Sequence, residues 1–330
     1  MSASRRVTYS GGFGIFCTMA KLTELSMAAA RHLLERYGRD VIALEPLAAG
    51  SVNSNFRITT SSGEVLFARI YEEADELGAR AELLLLDELS QAGVPTVRAI
   101  RTGGGDAFCM HENKPFSVYP WVEGHIRCQA TVSEADALRV GAALARVHST
   151  DVRRIPAGRF GLGDLRRRLE RIERDAPEYR SDVRFIRERL AHYERLREPS
   201  LPAGLIHGDL FRDNVLFGSD GIVALLDFES ACHGPFVYDL MVTVEAWCYS
   251  DGFQDRLVRA MISAYDRERP LTAREKASLP TEAAIAALRF ATTRITDYAM
   301  RAPPGTPPAR DFRRFLARLD ALEAGAVRFP

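Results

Sequence analysis

Between positions 205 and 228 the chain stops reading as helix, and that interruption constrains its fold more than any other stretch. Leu205-Ile206-His207-Gly208-Asp209-Leu210-Phe211-Arg212-Asp213-Asn214 leads into apolar Val215-Leu216-Phe217, a turn over 218–221, and a second apolar run, Ile222 to Leu226, that ends in Asp227. Two short apolar runs around a glycine-containing turn read as a hairpin. Pairing them returns Asp227, 13 residues after Asn214, to its side. Asp209 precedes Asn214 by five residues, and the four between them let a loop fold back with both side chains on one side. A carboxylate and an amide oxygen meeting there make a hard-oxygen site suited to Mg2+, which keeps waters and takes further ligands from phosphate. Each piece alone is ordinary, because Asp is a common turn residue. The order and spacing together are not.

The flanks differ in kind. Upstream, residues 23–37 read as a helix, 52–60 and 64–71 as strands joined by Ser61-Ser62-Gly63, and 75–92 as a helix with Leu77, Ala81, Leu84, Leu85 and Leu89 facing inward. Strands follow near 96–101, 107–111 and 115–121. That order suits a small α+β lobe around an antiparallel sheet. Beyond Gly124 the pattern is mainly helical: 133–148 behind a capping box opened by Ser133, a solvated helix pair over 163–197, then 237–249, 252–267, 272–278, 281–300 and, after a proline-rich loop, 310–326. The reading is thus a disordered extension over 1–20, an N-lobe over 21–118 and a C-lobe over 119–330.

Composition removes several classes. The 44 basic and 44 acidic residues cancel, whereas a nucleic-acid binder carries a basic excess. No apolar run approaches the length of a membrane span. The five cysteines are odd in number and none are spaced as Cys-x-x-Cys, which points to free thiols in a reducing cytoplasm. Either a monomer or a homodimer is compatible with the sequence. Only Lys21, Lys114 and Lys276 are lysines; the other basic residues are arginines.

An Asp that meets an attacking hydroxyl, an Asn that reaches a metal on the phosphates and a following acid on a strand are the catalytic parts of a kinase. With Gly between His207 and Asp209, the segment resembles the aminoglycoside phosphotransferase and choline kinase superfamily. Gly50-Ser51-Val52-Asn53-Ser54-Asn55-Phe56, Ala231-Cys232, Tyr238-Asp239-Leu240, Ala246-Trp247-Cys248, and Ala287-Leu288-Arg289-Phe290 with Thr293-Arg294 and Asp297 are similar to the bacterial homoserine kinases of that fold. The resemblance runs from about residue 38 to 300. It implies a bilobal, protein-kinase-like α+β fold with a small antiparallel-sheet N-lobe and a mainly helical C-lobe. It also implies ATP and Mg2+ as cofactors and the hydroxyl of a small molecule as substrate.

By the same resemblance Asp209 is the catalytic base, Asn214 and Asp227 hold Mg2+, and His207 and Asp239 support the loop. Gly50, Ser51, Asn53 and Asn55 belong to the nucleotide-binding loop. Arg69 stands where kinases usually carry a lysine, with Glu82 to pair with it. A guanidinium fork is not equivalent to a lysine point charge, although the homoserine kinases often lack the lysine too. Residues 117–124 form the hinge between lobes, with Tyr119 and Trp121 against the nucleotide. Pro120 has no N–H to offer adenine, so the donor falls to Trp121 or Val122.

An amino alcohol needs a cation for its carboxylate and an acid for its ammonium. Arg289 and Arg294 are candidates for the first, Glu245 and Glu229 for the second, and Trp247 either shapes the pocket or belongs to the core. Homoserine or a related amino alcohol is the acceptor that the resemblance implies. Alternatives are an aminoglycoside, a choline-like amine or a sugar. A non-catalytic nucleotide-binding regulator is the alternative of another class, favoured by the missing lysine and opposed by intact Asp209, Asn214 and Asp227.

Overall fold

A computed structural model describes residues 23–47, 53–158, 160–302 and 306–330. Helix α1 (Met27–Glu35) opens on Ser26, whose hydroxyl accepts from the Ala29 N–H, as an N-cap serine does. Strands β1 (Val41–Leu47), β2 (Ser54–Thr60), β3 (Val65–Ile70), β4 (Cys109–His111) and β5 (Lys114–Pro120) form one antiparallel sheet, ordered β1-β2-β3-β5-β4. Strand β1 was not foreseen; only Val41 of its seven residues is buried, and Pro46 interrupts its pattern. No strand forms over 96–101, where the chain makes a single parallel bridge, Thr96 to Leu225 of the C-lobe. The β4–β5 turn has both central residues, Glu112 and Asn113, at positive φ, the geometry that matches hairpin twist.

Helix α2 (Glu76–Gln91) buries Leu85 and Leu89 as its spacing suggests, but the rest of its inward face differs. Leu77 and Leu84 are 75% and 50% exposed, while Ala79, Leu83, Leu85, Leu86 and Leu89 are buried. Those leucines join the large core of the C-lobe, whereas the sheet and α1 enclose a smaller core of their own. The lobes are therefore bound by α2 as well as by the chain that crosses at β5.

The C-lobe comprises α3 (Glu134–Ser149), α4 (Leu162–Asp175), α5 (Arg180–Leu196), β6 (Ala203–Ile206), β7 (Val215–Phe217), β8 (Ile222–Leu225), β9 (Cys232–Pro235), α6 (Phe236–Trp247), α7 (Asp255–Glu268), α8 (Ala273–Asp297) and α9 (Arg313–Glu323). The capping box of Ser133 and Asp136 is present. Helices α4 and α5 are charged outside, yet bury Leu165, Leu169, Ile172, Val183, Ile186 and Leu190. Helix α6 is buried from Val237 to Trp247, Asp239 and Glu245 included. Where two helices were expected over 272–300, α8 runs unbroken for 25 residues with Pro280 inside it. Proline removes one helical hydrogen bond, but the buried positions continue on both sides of it and hold the helix together. Gly141 of α3 meets α7 so closely that a Cβ would lie 2.3 Å from the Met261 carbonyl oxygen. Among the described residues no helix is long and apolar enough to cross a membrane.

Candidate active site

The hairpin of β7 and β8 forms with Val215 opposite Leu225. The Leu226 N–H then donates to the Asn214 carbonyl at 2.9 Å, which sets Asp227 beside Asn214. Asn214 donates its side-chain amide to the Asp209 carbonyl at 2.8 Å, leaving its amide oxygen as the acceptor end. Asp209, Asn214 and Asp227 are thus brought together.

A buried frame holds this loop. Asp239, on the first turn of α6, accepts from the N–H groups of His207 (2.7 Å) and Gly208 (2.8 Å) and from His148 Nε2 (3.0 Å). His148 Nδ1 lies 2.6 Å from the Tyr265 hydroxyl. His207 Nε2 donates to the Leu226 carbonyl at 3.0 Å, and its Nδ1 accepts from the Asp209 N–H at 3.3 Å. One imidazole therefore ties the Asp209 segment to the Asp227 segment. Burial lowers the pKa of both histidines, and the neutral tautomer satisfies both ring nitrogens of each. Asp239 is fully buried, but hydrogen bonds and the two imidazoles hold its carboxyl below the usual range. Gly208 has φ +77°, and a Cβ there would lie 2.9 Å from the Ser230 carbonyl oxygen. Trp247 is entirely buried and donates from Nε1 to the Leu210 carbonyl at 2.9 Å; it braces the loop from behind and does not line the cavity below Asp209.

Asp227 is left-handed, at φ 61° and ψ 64°, a conformation that costs a non-glycine residue roughly 1 kcal/mol or more. Among the described residues no donor or cation holds its carboxylate. An acid kept in a strained backbone and left without a protein partner, beside an amide oxygen, fits a hard divalent cation. Among the described residues no group of three or more His, Cys, Asp or Glu is arranged as a metal site.

On the upper wall, the alternation of β3 turns Leu66, Ala68 and Ile70 into the small core and Phe67 and Arg69 toward the cleft. Arg69 Nη1 lies 2.8 Å from Glu229 Oε1 and 3.7 Å from Glu82 Oε1, and Nε donates to Asn55 Oδ1 at 3.2 Å. Asn53 donates to Glu229 as well and accepts from the Glu72 N–H at 3.1 Å. Glu82 therefore shares Arg69 with a closer partner from the other lobe. Burial lifts its carboxyl to about 7 against the pull of Arg69, with Glu229 and Asp227 adding to the rise. Glu229, expected near an acceptor ammonium, instead joins the lobes. Gly50 and Ser51, with the 1–20 extension, lie outside the described residues. At the hinge, Tyr119 is buried and bonded to Tyr71 (3.0 Å) and Ser117 (3.2 Å). The Trp121 N–H is taken by the Val65 carbonyl at 3.2 Å, so it is not an adenine donor, and Val122 is the remaining candidate.

Below Asp209 opens a cavity of about 140 Å³, lined by Phe160, Asp209, Arg289, Thr293, Arg294 and Asp297 among others. Arg289 is 3% exposed, sandwiched between Phe160 and Phe290 at 4.0 and 3.7 Å, with Nη1 3.6 Å from Asp209 Oδ1. Its Nε and Nη1 have no hydrogen-bond partner among the described residues. Arg294 gives one hydrogen bond to the Asp311 carbonyl at 3.0 Å and stacks on Phe315. Burial and the nearby Arg310, Arg318 and Arg314 push it down to about 10. The Asp209 carboxyl rises to about 7, from burial against the pull of Arg289 and with the repulsion of Asp227. Glu245 does not line the cavity. It is wholly buried, neither carboxyl oxygen is hydrogen-bonded among the described residues, and burial holds it well above the usual carboxylate range. Asp297 was visible in the sequence only as part of a resemblance; its place in the cavity depends on which face of α8 meets the loop.

A five-stranded antiparallel lobe over a helical lobe, with this loop between them, defines a small-molecule kinase of the protein-kinase-like class. The chain belongs to the phosphotransferase enzyme family, whose model matches residues 43–271. It is 37% identical over 295 residues to a homoserine kinase of Methylocella silvestris, covering 87% of this chain and 90% of that protein. To a homoserine kinase of Nitrobacter winogradskyi it is 32% identical, covering 87% and 89%. Among solved structures it is similar in fold to an amicoumacin kinase in complex with AMP-PNP, Ca2+ and Ami (TM-score 0.68, 15% identity, 88% and 92% covered). A spectinomycin phosphotransferase in complex with ADP and spectinomycin matches at TM-score 0.67 and 14% identity, covering 91% and 98%.

Proposed function

We propose that the chain transfers the γ-phosphoryl group of ATP to the side-chain hydroxyl of homoserine. Asp209 orients that hydroxyl and takes its proton as the oxygen–phosphorus bond forms and the bond to the ADP oxygen breaks. Asn214 and Asp227 would hold Mg2+, which when bound would neutralise the charge on the phosphates. Arg69 faces the phosphates, and Val122 offers the hinge N–H to adenine.

One observation carries the choice of acceptor: the buried Arg289, two of whose nitrogens make no hydrogen bond among the described residues, opens on a small cavity beside Asp209. A desolvated guanidinium without a hydrogen-bonded anion is costly unless a ligand supplies one. Homoserine brings a carboxylate; choline and ethanolamine bring none and would set a cation against Arg289 and Arg294. At about 140 Å³ the cavity also falls well short of a drug-sized pocket, which takes roughly 300 Å³ or more, so an aminoglycoside is disfavoured. The homoserine kinase relatives agree with this reading.

An ADP-release assay across homoserine, choline, ethanolamine, aminoglycosides and sugars tests it. Homoserine should give the highest kcat/KM. Turnover of aminoglycosides alone would overturn the assignment. Asp209→Asn should lower kcat by roughly 100- to 10,000-fold, the range of general base catalysis, with nucleotide binding retained.

A further inference from the structure

We infer that Asp297 recognises the acceptor's ammonium group, so that α8 reads both charges of the amino acid from one face. The inference rests on homoserine being the acceptor. Arg289, Thr293 and Asp297 follow one another at intervals of four along α8, which stacks them on one side of the helix, and all three line the cavity beside Asp209. Asp297 is bound asymmetrically. Its Oδ1 accepts from Arg168 Nη1 at 2.9 Å and from the Thr296 hydroxyl at 2.8 Å. Its Oδ2 accepts no hydrogen bond among the described residues, and the side chain is 35% exposed.

Arg168 is fixed in turn by Asp164 at 3.1 Å and Thr296 at 2.6 Å. One oxygen is thus clamped by α4 and the other is available to a ligand. A carboxylate held this way is preorganised for a cation and loses little entropy on binding it. The other acids do not compete. Asp209 faces the hydroxyl, Glu229 is taken by Arg69 and Asn53, and Glu245 lies in the core. Charge agrees too. With the outer partners counted, Arg168, Arg289, Arg294 and Arg310 are balanced by Asp164, Asp209, Asp213 and Asp297, and a zwitterion leaves that sum unchanged.

The test compares homoserine with 4-hydroxybutyrate, which keeps the hydroxyl and carboxylate but lacks the ammonium. Wild-type enzyme should prefer homoserine. In Asp297→Asn the ratio of the two kcat/KM values should shrink by roughly 10- to 100-fold, the worth of a hydrogen bond to a charged group, chiefly through the homoserine KM. Asp297→Glu should keep a preference for homoserine. An Asn variant with the wild-type ratio, or one whose kcat/KM falls equally for both compounds, overturns the inference, the second result marking a purely structural role. A wild-type enzyme that phosphorylates neither compound overturns the acceptor assignment itself, and this inference with it.

Discussion

Arg69 and Glu229, 160 positions apart in the chain, meet at 2.8 Å across the cleft. The pair links the upper sheet to the segment just beyond Asp227, and both side chains are largely buried. Replacing Glu229 by Gln removes one partner of a mostly buried ion pair. Arg69 retains Glu82, so the loss should be modest, about 1–2 kcal/mol, below the 3–5 kcal/mol seen where the remaining charge is stranded. Denaturant titration measures it. The same change frees Arg69 for phosphate oxygens, and the KM for ATP should fall; a rise would mean that Glu229 positions Arg69 for the nucleotide.

Arg289 is kept at the expense of stability. Its guanidinium lies between two phenyl rings, and two of its nitrogens make no hydrogen bond among the described residues. Arg289→Met keeps the apolar contacts and removes the desolvated charge. The apo-protein should be stabilised by about 1–3 kcal/mol, as when buried ionic groups give way to apolar ones, and the acceptor KM should rise steeply. Thermal melting and steady-state kinetics together check it; a lower Tm would show that the Asp209–Arg289 attraction outweighs desolvation.

Stability should fall as pH drops below about 6.5, the ordinary histidine value. His148 and His207 have folded pKa values lowered by burial. Below the unfolded value the unfolded chain therefore takes up protons that the folded protein refuses. The unfolded state binds more protons, so stability is full above that pH and declines beneath it, by up to about 2.7 kcal/mol per pH unit for two sites. Asp239, with its lowered pKa, adds a further loss below about 3.9. Chemical denaturation between pH 8 and 5 reads the slope, which His148→Gln should reduce.

Gly141→Ala sets two effects against each other. Alanine favours a helix interior by up to about 1 kcal/mol over glycine. Here the added carbon would sit 2.3 Å from a backbone oxygen of α7, which has no rotamer to yield. Overpacking costs about 1–3 kcal/mol, so the variant should be less stable than wild type. A gain in Tm would show that α3 and α7 can separate freely.

The Asp209 loop and its hairpin were legible because their geometry is local. Asp209, Asn214 and Asp227 fall within 19 residues, and the apolar runs between them fix the register. Pairings that span the molecule were not. Nothing near Glu229 in sequence announces Arg69, and nothing near Asp297 announces Arg168. The inward face of α2 was legible only at Leu85 and Leu89, because its leucines outnumber one stripe and the choice among them is made by the C-lobe core. Pro280 suggested a break in α8, but tertiary packing overrode that local preference. Glu245 and Glu229 are acids of the right type in the right neighbourhood, and only side-chain direction removes them from the cavity.

The loop that carries Asp209 hangs from one carboxylate on α6, itself anchored to His148 of α3 and through it to Tyr265 of α7. Three helices therefore meet at the suspension point. Turnover should double as a gauge of the integrity of the lower half: a partly loosened molecule, still rich in helix, is expected to have released the loop that carries Asp209.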